Sequence, residues 1–146
     1  MGTVEENKAL VRRFIELYNQ QELDATDEIL TEGCFAAGIT LEQNRQLDIM
    51  LFKAFPDWKM TLLDMIAEGD KVAVMINYTG THTGGPFMGI PPTGKKIDTK
   101  GNRIAKIVNN KVVEMKGTTE DMLQQLGVIP TWQEALQAYK EAHNLE

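Results

Sequence analysis

Residues 66–97 read IAEGDKVAVMINYTGTHTGGPFMGIPPTGKKI, and the fold turns on this stretch. From Lys71 to His82 β-forming residues follow a period close to two, which suits a half-buried strand and not a helix. Glu68-Gly69-Asp70 in front of it is a hairpin turn signal. The following stretch, residues 83–94, holds too much Gly and Pro for either regular element, so it is a long connection over one end of a sheet. Outward from there, Trp58–Ala67, Lys95–Val108 and Lys111–Thr118 carry the same strand character, with a second turn signal at Asn109-Asn110. Four strands joined in this way make an antiparallel meander.

Upstream the period is helical. Leu47, Met50, Leu51 and Ala54 form the inner stripe of a helix over Leu41–Ala54 that must stop before Pro56. Leu10, Val11, Phe14, Leu17 and Tyr18 mark an amphipathic first helix behind Thr3 and Glu6, which have capping-box spacing. Asp24 is expected to cap a short second helix carrying Ile29 and Leu30, ended by Glu32-Gly33. Downstream, Met122–Leu126 reads as a short helix ended by Gly127 and Pro130. Thr131 and Glu134 then open a terminal helix with Trp132, Leu136 and Tyr139. Helices, strands, then helices again indicate an α+β fold, with helices on one face of an antiparallel sheet.

At 146 residues, 42% apolar and 25% charged, the chain supports one hydrophobic core and one domain. A formal charge of -6 argues against a nucleic-acid partner, which needs clustered cations. The basic cluster Lys95, Lys96, Lys100, Arg103 and Lys106 alternates with apolar residues and reads as a solvated sheet face. No run approaches the ~20 apolar residues of a bilayer span, and the N-terminus lacks the pattern of a secretory leader, so a cytoplasmic protein without membrane contact is expected. Cys34 is single. With His82 and His143 it offers no metal-ligand spacing, so no metal is expected. GGPFMG lacks the GK[ST] ending of a phosphate loop.

The Ile66–Ile97 segment and LQQLGVIP, residues 123–130, resemble the SnoaL-like polyketide cyclase (ester cyclase) family. ENKALVRRFIELYNQQELDATDEIL, residues 6–30, and AFPDW, residues 54–58, are similar to it as well. The resemblance covers about residues 5–130, which divides the chain into a SnoaL-like domain, residues 1–130, and a C-terminal helical extension, residues 131–146. It implies a cone-shaped fold of the nuclear transport factor 2 kind, in which a curved antiparallel sheet and the N-terminal helices enclose a pocket, and a homodimer formed through the sheet. It also implies ring closure by intramolecular aldol condensation without metal or cofactor, with a pocket aspartate as acid and base.

Such chemistry needs a base beside a carbonyl, a donor for the enolate oxygen and an apolar cavity. The family places its aspartate near the end of the last strand. The equivalent stretch here, VVEMKGTTED, residues 112–121, offers Glu120 or Asp121, or else two residues that charge the first turn of the next helix. Lys116 shares a strand face with Glu114, Thr118 and Glu120, as a pocket cation or as a surface ion pair. His82 leads into the long loop, as a proton carrier or as an anchor for loop backbone. Arg103, Trp58, Phe87 and Met88 are candidate substrate contacts. Cys34-Phe35-Ala36-Ala37 replaces a family aspartate and histidine, and the added basic residues suit an anionic ligand. The reading is a small-molecule enzyme performing cofactor-independent aldol cyclisation or isomerisation on a bulky, polyketide-like carbonyl compound. The alternatives are a non-catalytic binder of an apolar or anionic small molecule, and a dimerisation module with a filled pocket.

Overall fold

A computed structural model describes residues 2–120 and 122–145. Helices α1 (Val4–Asn19), α2 (Leu23–Ile29) and α3 (Leu41–Ala54) precede strands β1 (Lys59–Glu68), β2 (Lys71–Thr81), β3 (Lys96–Val108) and β4 (Lys111–Lys116). Helices α4 (Met122–Gln125) and α5 (Trp132–Ala142) close the chain. The strands form one antiparallel sheet in the order β1-β2-β3-β4. This is the expected α+β meander.

Local chemistry sets the helix ends. The Thr3 hydroxyl accepts from Glu6 N at 3.1 Å. Thr40 and Thr131 make reciprocal caps with Gln43 and Glu134, an arrangement worth about 1 kcal/mol each. Asp24 does not cap α2. That helix starts behind Glu22 without a side-chain cap, because the Asp24 carboxylate is taken by Arg45 of α3 at 2.6 Å, with Asp27 on the other guanidinium nitrogen at 2.7 Å. The fork thus joins α2 to α3.

Between β3 and β4, Asn109 and Asn110 both have positive φ, +52° and +59°, as a type I′ hairpin requires. Register then assigns faces. Val72 pairs with Ala105, Val74 with Arg103, Ile76 with Gly101 and Tyr78 with Thr99, and these side chains share the concave face with the core residues Ile97 and Ile107. Lys96, Lys100 and Lys106 lie on the convex face, as expected of a solvated stripe. Arg103, odd in the register, belongs to the concave face instead.

One edge of the sheet is covered by chain from outside it. The segment after α2 runs along β4, with parallel bridges Leu30 to Val112 and Phe35 to Met115 and an Ala36 N to Met115 O hydrogen bond of 3.0 Å, which covers one edge. The loop after β2 seals the end of α3. Gly84 N and Gly85 N donate to Ala54 O and Lys53 O at 3.0 Å each, and a Cβ at Gly84 would collide with the Lys53 carbonyl. Among the described residues no helix is long and apolar enough to cross a membrane.

Candidate functional site

The concave face, α1, α3, the segment 35–39, the loop after β2 and the start of α4 line a cavity of about 880 Å3 that opens to solvent. Its walls are mainly apolar, with Phe14, Leu47, Leu51, Met60 and Phe87 among them, and a few polar groups project between these side chains. An apolar vault with sparse, convergent polar groups is the usual form of a small-molecule site.

The polar groups form a connected set. The Trp58 indole Nε1 donates to the Tyr18 hydroxyl at 3.0 Å, and that hydroxyl donates to Asp48 Oδ1 at 3.2 Å. Asn44 Nδ2, one helical turn before Asp48, donates to Oδ2 at 3.1 Å. Burial raises the Asp48 carboxyl to about 7, and the negative charge of Asp27 adds to the effect while the Tyr18 and Asn44 donors oppose it. Burial, then Asp48, also pushes the Tyr18 phenol well above its ordinary value, so it stays a donor. Asp48 is therefore poised to exchange a proton near neutral pH.

Tyr78 stacks on Trp58, with centroids 5.8 Å apart and planes at 18°. Its hydroxyl is raised by burial, with Arg103 pulling it down and Asp48 pushing it up, so it lies within electrostatic reach of both. The Arg103 guanidinium sits 6.0 Å from the Tyr78 ring centroid. It is held by Asn102 O at 2.7 Å, Thr118 O at 2.9 Å and Thr119 Oγ1 at 2.7 Å, and among the described residues no carboxylate lies within ion-pair distance of it. Gly101 leaves room for the arrangement, because a Cβ there would stand 2.9 Å from the Tyr78 ring and 3.3 Å from Arg103 Nη1.

Of the residues singled out from sequence, Arg103, Trp58, Phe87 and Met88 line this cavity together. Lys116 and Glu120 stand at its rim. The half-exposed Lys116 pairs with Glu114 at 3.3 Å. The Glu120 carboxylate accepts from Lys100 N at 3.0 Å and its carbonyl accepts from Thr99 Oγ1 at 3.1 Å, so it ties the chain after β4 back to β3. Asp121 lies outside the described residues. His82 is apart from the cavity, fully buried, with its ring nitrogens 3.2 Å from Thr93 Oγ1 and 3.0 Å from Gly85 O and its ring stacked on Phe55 at 5.0 Å. Thr93 N also donates to Nδ1, so His82 pins both ends of the long loop. Among the described residues no three His, Cys, Asp or Glu side chains cluster as metal ligands.

Asp48, Tyr18, Asn44 and Tyr78 did not stand out in the sequence. A faint signal for Asp48 was present: Asn44 and Asp48, four apart, border the apolar stripe of Leu47 and Leu51, and a carboxylate at such a border faces half into the interior.

The sequence profile of the SnoaL-like polyketide cyclase family matches residues 8–126, and the chain belongs to that family. The matched region ends before α5. Among solved structures, AclR from Streptomyces galilaeus superposes with a TM-score of 0.79 at 26% identity, covering 99% of each chain. TsrD from Streptomyces laurentii gives 0.77 at 21%, over 88% of this chain and all of that one. IdmH from Streptomyces antibioticus gives 0.70 at 25%, over 84% and 99%. No curated protein matches the sequence.

Proposed function

We propose that the chain is a small-molecule enzyme of cofactor-independent acid–base chemistry, an aldol cyclase or isomerase acting on a bulky, polyketide-like carbonyl compound in the 880 Å3 cavity. The observation that carries this reading is Asp48, a largely buried carboxyl raised to about 7 in the cavity wall. Asp48 as carboxylate removes a proton from the carbon next to the substrate carbonyl. Tyr78 and Arg103 donate to the enolate oxygen as charge gathers there. The enolate carbon then attacks a second carbonyl carbon, and the new alkoxide recovers its proton from the Asp48 carboxyl, so one C–C bond forms with no change of oxidation level. In isomerisation Asp48 returns the proton to a different carbon. AclR is provisionally assigned as a hydroxylase and IdmH as a polyketide cyclase.

The test needs no natural substrate. In D2O the protein should speed deuterium uptake next to the carbonyl of butyrophenone, read by proton NMR, with a rate that rises with pH to a plateau above about 7. Asp48→Asn should slow it by about 10²–10⁴-fold. Saturable binding with no exchange above background would instead favour the binding-protein reading, for which the Arg103 guanidinium in the cavity wall and an anionic ligand are the motive.

The pairing of two copies is part of the proposal. Ile66, 68% exposed, Ala73 and Ile104 fall in one row on the convex face, and an apolar row of that kind suits a homodimer through the sheet. Sedimentation equilibrium showing a monomer at micromolar concentration would remove this element.

A further inference from the structure

Behind the main cavity lies a second, smaller hollow of about 80 Å3 between α1 and the sheet. Val11, Val72, Val74, Ala105 and Val112 line it and have no part in the main cavity. Phe14, Met60, Tyr78, Arg103 and Met115 line both, so these five side chains are the partition between the two spaces. The partition is polar only at Tyr78 and Arg103, and two of its members are methionines, whose unbranched thioethers swing aside at little cost.

Native interiors seldom keep dry voids larger than a water molecule, and a water would find no partners among the five aliphatic walls. An apolar hollow of roughly 150 Å3 admits benzene, so 80 Å3 has in proportion the room of about three carbons. Resting on the reading given under Proposed function, we infer that the inner hollow is a specificity subsite for a short unbranched alkyl arm. The substrate class becomes an alkyl ketone whose carbonyl and adjoining CH2 lie at the partition, against Tyr78 and Arg103 and facing the main cavity that Asp48 lines, with a bulky ring portion in the main cavity and the rest of an alkyl arm of about three carbons reaching into the inner one. The position of the two donors fixes which carbonyl is activated: the one bearing the alkyl arm.

Alkyl phenyl ketones, from acetophenone through propiophenone, butyrophenone and valerophenone to hexanophenone, carry these three parts in that order. Isothermal titration should show affinity rising about fourfold per added methylene, hence about fifteenfold from acetophenone to butyrophenone, and no further gain beyond it. Filling the hollow from β3 with Ala105→Leu, or from α1 with Val11→Leu, should bring the butyrophenone-to-acetophenone ratio close to one, and either variant alone suffices if the other does not fold. A ratio that stays near fifteen in a folded, filled variant, or an affinity that keeps climbing through hexanophenone, overturns the inference, since the alkyl arm then lies elsewhere. Equal binding of all five ketones, with deuterium exchange of acetophenone intact, overturns the subsite and leaves the proposed function standing. Failure of every ketone to bind or exchange overturns both.

Discussion

The Tyr18 hydroxyl stands 3.2 Å from Asp48 Oδ1 and itself receives the Trp58 indole N–H at 3.0 Å, so a carboxyl of α3 is fixed by α1 and by the residue just before β1. Three separate elements converge on one proton site. Its properties are therefore sensitive to each of them.

Raising an acid by burial lowers stability as pH rises. Below about pH 4 Asp48 is protonated in the folded and the unfolded chain alike. Between there and about 7 the unfolded chain ionises and the folded one does not, so stability falls across that window and stays low above it. Asp48→Asn should be more stable than the parent at pH 8 by on the order of 2–4 kcal/mol, with the gap narrowing toward pH 4. Urea denaturation at several pH values checks this, and a gap independent of pH refutes it.

Tyr18→Phe removes a donor that favours the Asp48 carboxylate and leaves the Trp58 N–H without its acceptor. The midpoint of the deuterium-exchange profile should move up by about one pH unit, and stability should drop by about 1–3 kcal/mol. A midpoint unmoved in a folded variant separates Tyr18 from the titration.

The two carboxylate assignments are separable. Glu120 already accepts a backbone N–H at the rim, so Glu120→Gln with Asp121→Asn should lower exchange by less than about tenfold, against the 10²–10⁴-fold loss expected of Asp48→Asn. Exchange abolished by this double variant, with Asp48→Asn active, would restore Glu120 or Asp121 as the acid–base residue.

Loss of His82 should act on the loop and not on the proton site. His82→Ala strips partners from Thr93 and Gly85 and empties the ring's place beside Phe55, at a cost of about 2–4 kcal/mol. Limited proteolysis should then cut within residues 83–94 first, while the pH midpoint of exchange is kept.

Gly101→Ala sets a methyl 2.9 Å from the Tyr78 ring and 3.0 Å from Thr119 Oγ1. The expected cost is about 1–3 kcal/mol, with butyrophenone affinity reduced about tenfold as Tyr78 and Arg103 shift. Unchanged affinity would place the ketone away from these donors.

The backbone was largely legible because its signals are local. Periodicity and the stop before Pro56 located α3 at Leu41–Ala54, and the turn residues at 68–70 and 109–110 located the hairpins. The Asp24 cap failed because Arg45, 21 residues on, competes for the same carboxylate. Asp48 was hidden for a related reason. On a helix, one polar residue beside an apolar stripe looks like any solvated position, and only the approach of Tyr18, 30 residues earlier, makes it a buried acid. Arg103 was visible as a charge, while its separation from Lys100 and Lys106 depended on strand register.

The grip of the segment after α2 on β4, through Leu30 with Val112 and Phe35 with Met115, carries a consequence for how the molecule is born. A ribosome delivers the three leading helices long before the strand that holds them, and the two halves of these bridges lie 82 and 80 positions apart in the chain. The nascent helices must wait with their apolar stripes uncovered, so synthesis of β4 is the moment at which the vault closes, and a chain arrested before Val112 emerges is a client for chaperones and not a smaller folded domain.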